Sequence, residues 1–251
     1  MRTAEVRQQE IKAKRLTTSA SSIFLTGALL LLVDVFFGSQ ALLYVGFVTL
    51  ALHAIPEIIA DVSVGRPNEH SRYTIHDPNN SKKRFLNLLQ SIVFLAAGVI
   101  QAVAFFYSQR ARERGEADKK SVDTYLLLNT IASGLWISTG LLIFSARRCF
   151  CMRCFSRSSE FCDAVGNTCW ILSTIVLIVD AFILVMDFNA GFNQEALDRF
   201  FWNTIPIMWT VSGVFYLVAD LQRLWSVRAV DVPADMSTTT PYTNFAEGAK
   251  V

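Results

Sequence analysis

Titratable residues of this 251-residue chain occur inside stretches that are otherwise apolar, where a charge is costly in a membrane. His53, Glu57 and Asp61 are spaced four residues apart, so an α-helix would place them on one face. Pro56, in the same turn, leaves a backbone carbonyl without its helical donor. The pattern predicts a stripe that passes protons or coordinates a cation. The alternative is a structural role, in which Asp61 lies among the lipid headgroups and Glu57 reaches towards them or caps a neighbouring helix.

Three further polar residues lie at a similar depth in different apolar runs. Each is about 14–16 residues into its run, so at a helical rise of about 1.5 Å per residue they reach nearly the same level. If the runs pack around one axis, these side chains form a cluster that could bind a cation or protons. The alternative is interhelical hydrogen bonding, which ties helices together at a modest gain. The cluster residues are Asp34, Gln101 and Asp180, and the alternative hydrogen-bond partners are Asn129, Asn167 and Asn203.

A cysteine cluster follows the fourth apolar run, among arginine and aromatic residues. Cys149, Cys151 and Cys154 are expected to be reduced on a cytoplasmic face, and juxtamembrane cysteines of this kind are typical of S-acylation. Unmodified structural cysteines are the second interpretation, and a zinc site that also uses Cys162 is the third. Zinc is disfavoured because the spacing has no paired CxxC, no histidine is close in sequence and the loop is rich in arginine. We therefore predict no metal site.

The sequence contains none of the motifs that mark common catalytic or cofactor sites. There is no HExxH, GxSxG, P-loop or glycine-rich dinucleotide fingerprint. Of the three histidines, His53 alone lies in an apolar run, which removes a haem held by two intramembrane histidines. A net charge of +2 without a basic stripe argues against nucleic acid. We predict that the protein is not an enzyme and has no catalytic residue, no cofactor and no nucleic-acid partner.

The polar residues are carried by six apolar runs, each long enough to cross a bilayer. Hydrophobic residues make up 52% of the chain and charged residues 18%, below the roughly 25% typical of a soluble domain. The prediction is an all-α, polytopic membrane protein with six transmembrane helices in three hairpins. A polar, basic segment precedes this bundle, and the polar tail that follows it is predicted to be disordered. The predicted boundaries are 1–18 for the N-terminal segment, 19–228 for the bundle with hairpins at about 19–60, 85–145 and 165–222, and 229–251 for the tail.

Basic residues are distributed unequally between the two sides of this bundle. Six spans place both termini and the loops 61–84 and 146–164 on one side, which holds 17 of the 23 Lys and Arg residues. The positive-inside rule assigns that side to the cytoplasm or the matrix. We therefore predict an integral membrane protein whose N- and C-termini face the cytoplasm or the matrix.

The second and third hairpins share a sequence pattern in their second spans. The matching residues are Asn129, Trp136, Thr139, Gly140 and Phe144 in one span, and Asn203, Trp209, Ser212, Gly213 and Tyr216 in the other. Recurrence of the same residue types in the same order indicates an internal repeat of a two-helix unit. The pattern resembles the small two-helix membrane unit of YrhK-like proteins. The resemblance implies architecture and no chemistry.

Three functions remain open, and we favour the first. The missing catalytic set, the small loops and the residues suited to helix packing favour a structural or accessory subunit that packs with other membrane proteins, with itself or with the lipid bilayer. The second is a small proton or cation channel or transporter that uses the intramembrane acids. The third is a lipid-handling or membrane-shaping protein. The glycines expected in close helix contacts are Gly27, Gly98, Gly134, Gly140 and Gly213.

Overall fold

Six long helices make up the part of the chain that the computed structural model describes, residues 4–64, 78–114, 119–146, 158–185 and 194–229. They are α1 (Ala4–Phe37), α2 (Gln40–Ile59, continued by a π-helical turn at Ala60–Val64), α3 (Pro78–Arg114), α4 (Lys119–Ala146), α5 (Ser158–Val185) and α6 (Gln194–Ala229). Each holds an apolar segment of 22 to 30 residues, long enough to cross a bilayer. The prediction of an all-α, six-span membrane protein is confirmed.

The helices form a closed ring in chain order. The three predicted hairpins, α1–α2, α3–α4 and α5–α6, each pack extensively, and α6 returns against α1 to close the ring. The least extensive neighbouring contact in the ring is between α4 and α5. We call the part of the bundle near the α1–α2 turn the turn half, and the part where α1 begins and α6 ends the terminal half.

The α1–α2 connection is a tight turn at Gly38 and Ser39. Gly38 has a φ of +59°, a left-handed conformation that glycine adopts without the steric cost of a β-carbon. Its amide donates to the carbonyl of Asp34 at 2.7 Å, and the amide of Leu43 donates to the carbonyl of Ser39 at 3.1 Å. These bonds satisfy backbone groups at both helix ends and fix Asp34 beside the turn.

The helices continue beyond the apolar runs. The N-terminal polar segment is helical from Ala4 and is continuous with the first span, and α3 begins at Pro78 rather than near residue 85. Proline suits the first helical position because the amide it lacks would have no partner there. Polar residues at the ends of spans are inexpensive near the membrane surface, so helices extend where hydropathy stops. The predicted disordered tail lies outside the described residues, apart from Ala229.

One aromatic residue from each helix meets in the middle of the ring. We call this set the central aromatic cluster. Trp170 and Trp209 are stacked at a centroid distance of 5.2 Å, and Phe94 lies edge-on to Trp136 at 4.8 Å. These packing geometries suit the ring quadrupoles. The cluster comprises Phe24, Phe47, Phe94, Trp136, Trp170 and Trp209.

Small residues allow the helices to approach closely. A β-carbon at Gly98 would lie 2.7 Å from that of Ala51, and one at Gly27 would lie 2.8 Å from the Leu50 amide nitrogen. Gly140 packs against Thr174 in the same manner, and Gly213 packs against α1. Gly134 is different, because nothing lies within 4 Å of its β-position. The expectation of close contact is therefore wrong for Gly134, since this glycine is on an exposed face of α4.

Candidate functional site: a central cavity in the turn half

A cavity of about 310 Å³ lies on the ring axis in the turn half. All six helices contribute to its wall, which places it inside the bundle rather than on its lipid-facing surface. Phe47, Phe105, Trp136 and Trp209 form the aromatic part of its wall. Trp136 and Trp209 are matching residues of the predicted internal repeat. Its polar lining includes Asp34, Gln101, Tyr125, Ser133 and Asn203.

Asp34 is the carboxylate that lines this cavity. It lies on the last turn of α1, and the backbone amide of Ser39 donates a hydrogen bond to its carboxylate. Its Oδ1 atom is buried and has no hydrogen-bond partner among the described residues. Burying a carboxylate oxygen without a partner is costly. Oδ1 is covered by protein, so a bound cation would meet the accessible part of this half-buried side chain.

Gln101 lines the same cavity, as the equal depth of the two residues predicted. Its side chain is nearly fully buried, and Nε2 donates to Oδ1 of Asn129 on α4 at 2.8 Å. This is the interhelical hydrogen bond that was the alternative interpretation of Gln101. The residue therefore joins α3 to α4 and also contributes a polar surface to the cavity.

Asp180, the third member of the predicted cluster, belongs to α5, but its side chain lies outside the described residues. Leu177, on the preceding turn of the same helix, lines the cavity. Asp34 and Gln101 thus line one cavity, and the grouping of all three side chains stays a prediction.

Trp136 supplies a second polar atom without a partner. The residue is 2% exposed and lines the cavity, and its Nε1 has no acceptor among the described residues. Trp209, beside it, donates its own Nε1 to Oγ of Ser173 at 2.9 Å. Nε1 is itself buried, so this N–H is covered by neighbouring protein atoms and does not open into the cavity.

Pro206 interrupts the hydrogen bonding of α6 at the cavity wall. Proline has no amide hydrogen, so the carbonyl one turn earlier loses its helical donor. Neither this proline nor Trp136 Nε1 was singled out as part of a site from the sequence. A proline inside a transmembrane segment could have been a signal, because interrupted spans are typical of membrane binding sites.

The predicted stripe on α2 lies away from this cavity, in the terminal half. His53 is buried against Phe24 and Phe94, and its Nδ1 lies 2.6 Å from the carbonyl oxygen of Leu50. Because a carbonyl only accepts, this contact assigns a hydrogen to Nδ1. Glu57 Oε2 accepts a hydrogen bond from Ser91 on α3 at 3.0 Å.

Asp61 occupies the π-helical turn and is 2% exposed. The turn packs against α1 and α3, so Asp61 lies inside the bundle, and its depth relative to the lipid headgroups stays a prediction. The stripe does not reach the cavity wall, and so Asp34 and the α2 acids belong to separate environments.

A charged network in the terminal half was missed from the sequence. Arg223 on α6 pairs with Asp163 on α5, and its Nη1 also lies 3.2 Å from Oδ1 of Asp220. Ser21 on α1 donates to Oδ2 of Asp220 at 2.6 Å, so the network joins three helices. The signal available was the spacing of Asp220 and Arg223, which puts opposite charges on neighbouring turns.

The cysteine cluster at Cys149, Cys151 and Cys154 lies outside the described residues, so S-acylation there stays a prediction. Cys162, the fourth thiol of the zinc interpretation, is buried on α5. Within the described ranges, no group of three or more His, Cys, Asp or Glu residues is placed to hold a metal ion.

The cavity thus combines a carboxylate, amide and hydroxyl groups and several aromatic side chains on the axis of a membrane bundle. Such a wall can hold a small molecule by charge, by directed hydrogen bonds and by contact with the rings. Comparisons with protein-family models, with curated proteins and with solved structures found no match for this chain.

Proposed function

We propose that this multi-pass membrane protein is a carrier for a small cation and that the central cavity is its binding site. The observation that carries the proposal is Asp34, whose Oδ1 is buried and has no partner among the described residues while the residue lines a cavity on the ring axis. A carboxylate within a span is expensive, and such residues commonly mark substrate or ion pathways.

Two features of the bundle support a carrier rather than an open pore. The central aromatic cluster fills the ring axis next to the cavity. A site reached from one side at a time is what alternating access requires. Pro206 weakens α6 beside the site, which gives that helix a place to bend when the cavity changes shape.

No contact among the described residues favours one of the other functional predictions. The accessory role, lipid handling and the absence of enzymatic activity stay predictions, and so does the assignment of the termini to the cytoplasm or matrix. If that assignment holds, the turn half and its cavity lie towards the opposite face of the membrane.

Transport is tested by reconstituting the full chain in liposomes and recording charge movement on a solid-supported membrane. The probes are gradients of protons, sodium, potassium, tetramethylammonium and choline, applied one at a time. We expect a transient current for at least one probe, lost in Asp34→Asn and retained in Asp123→Asn, whose carboxylate is exposed on α4. Folded, inserted wild-type protein that gives no current with any probe would overturn the proposal and favour the accessory role.

A further inference from the structure

We infer that the cavity selects a compact organic ammonium ion that carries a hydrogen-bond acceptor, rather than a bare metal ion or a proton. This inference deepens the proposed function and rests on it, since it names the class of cation that the cavity would hold. It follows from the wall of the cavity and not from the carboxylate alone.

The first argument is the aromatic share of the wall. Phe47, Phe105, Trp136 and Trp209 all line the same space as Asp34. The faces of such rings attract cations, and tryptophan does so most strongly. An alkylated ammonium also loses less on leaving water than a small metal ion does, and its methyl groups make van der Waals contact with the rings. Aromatic walls around one carboxylate therefore favour an organic cation.

The second argument is the polar part of the wall. Asp34 contributes a carboxylate, and Ser133 and Asn203 contribute a hydroxyl and an amide to the same cavity. A molecule with a positive nitrogen and a hydroxyl or carbonyl oxygen can be met by the carboxylate and by one of these donors. A metal ion or a proton would use the carboxylate and leave the donors of the wall without an acceptor on the ligand.

The third argument is size. The cavity of about 310 Å³ is equivalent to roughly ten water molecules. It therefore accommodates a compact amino alcohol or a similar molecule, and it is far larger than a dehydrated metal ion needs. Gln101 is held by Asn129, so one polar wall is already fixed before a ligand arrives.

The test is calorimetric titration of the full chain in detergent with three matched probes. Choline carries both the positive nitrogen and an oxygen, and tetramethylammonium lacks the oxygen. The third probe is the uncharged isostere of choline in which carbon replaces nitrogen. We expect saturable binding of choline, weaker binding of tetramethylammonium and no binding of the isostere. Excess sodium or potassium should not displace choline.

Substitutions then locate the site. Asp34→Asn should weaken choline binding by roughly tenfold to hundredfold, while Asp123→Asn leaves it unchanged. Trp209→Leu should weaken it and Trp209→Phe should restore most of it, whereas Trp225→Leu, exposed on the same helix, has no effect. If Trp209→Leu does not give a monodisperse particle, Phe105→Leu takes its place.

The outcomes separate this inference from transport itself. If Asp34-dependent currents of metal ions or protons occur and choline does not bind, the ammonium site is wrong and the carrier function stands. If choline binds through Asp34 and no probe moves charge, the ammonium site stands and the carrier function is wrong. Equal binding of the uncharged isostere would overturn the inference, because the carboxylate would then have no part in recognition.

Discussion

The charged groups of the two halves of the bundle lie in different environments. In the terminal half, Arg223 lies between Asp163 and Asp220, and Ser21 donates to the second of these carboxylates. In the turn half, Asp34 lines a cavity, and its buried Oδ1 has no partner among the described residues. A buried polar atom without a partner lowers stability. The contrast teaches that the carboxylates of the terminal half join helices, while the carboxylate of the turn half lines a cavity.

This comparison leads to a general expectation about how substitutions affect stability and binding. Substitutions in the terminal half and in the central aromatic cluster should lower the free energy of unfolding, and substitutions of cavity polar groups should change binding more than stability. The predictions below run from the largest expected effect on stability to the smallest.

Removing the cation of the terminal half should have the largest effect. Arg223→Met leaves Asp163 and Asp220 close together without the guanidinium between them. Breaking a fully buried ion pair costs about 3–5 kcal/mol. The side chain of Arg223 is 22% exposed, so the loss should lie towards the lower end of that range, and thermal unfolding in detergent should begin at a clearly lower temperature. Lys119→Met, at an exposed position on α4, is the control and should unfold like the wild type. If Arg223→Met and Lys119→Met unfold at similar temperatures, the network does not have the structural role that we assign to it.

Truncating the central aromatic cluster should come next. Phe94 contacts the rings of Trp136, Trp170 and His53, so Phe94→Ala leaves a void surrounded by rings. We expect a loss of about 3 kcal/mol, measured by chemical denaturation. Ile92→Ala, on an exposed face of the same helix, is the control and should lose much less. Equal losses would mean that the cluster is no better packed than the lipid-facing surface.

Two glycines of α4 should change the stability of the protein in opposite directions when alanine replaces them. A β-carbon at Gly140 would overlap Thr174 on α5, whereas one at Gly134 would meet nothing within 4 Å. Gly140→Ala should therefore destabilise the protein by about 1–3 kcal/mol. Gly134→Ala should be neutral or stabilising by up to about 1 kcal/mol, because alanine favours the helix. The two unfolding temperatures should move apart, and a shift of both in one direction would contradict the α4–α5 packing.

The smallest effect is expected at Gln101. Gln101→Met removes the hydrogen bond to Asn129 and keeps the side-chain volume. Hydrogen bonds between membrane helices average about 0.6 kcal/mol, so stability should change little. Choline affinity should fall more visibly, because Gln101 forms part of the cavity wall. Thr130→Val, which loses a bond within α4 on an exposed face, should leave the affinity unchanged.

Hydropathy and helical rise predicted much of this arrangement. The six spans follow from apolar length alone, because backbone groups in lipid must be satisfied within a helix. The meeting of Asp34 and Gln101 followed from their equal depth, which a rise of about 1.5 Å per residue preserves in any upright bundle. The resemblance of the hairpins to YrhK-like units stays a prediction.

The features that the sequence did not predict depend on which helices become neighbours, and a single sequence does not reveal this. Asp163 and Arg223 are 60 residues apart, and they pair because α5 and α6 pack along their length. The buried position of Asp61 likewise depends on the packing of α1 and α3 around the π-helical turn. A cavity depends on where side chains fail to fill the ring axis, which no periodicity reveals.

The central claim is that Asp34 and the aromatic wall form a cation site in the turn half, separate from the charged network that joins the helices of the terminal half. The most direct test is the Tm of wild type, Asp34→Asn and Arg223→Met in detergent, each with and without saturating choline. A ligand that binds the folded state raises its Tm. We expect choline to raise the Tm of the wild type and of the less stable Arg223→Met by similar amounts, and to leave Asp34→Asn unchanged. An equal rise in Asp34→Asn, or no rise in the wild type, would contradict the account.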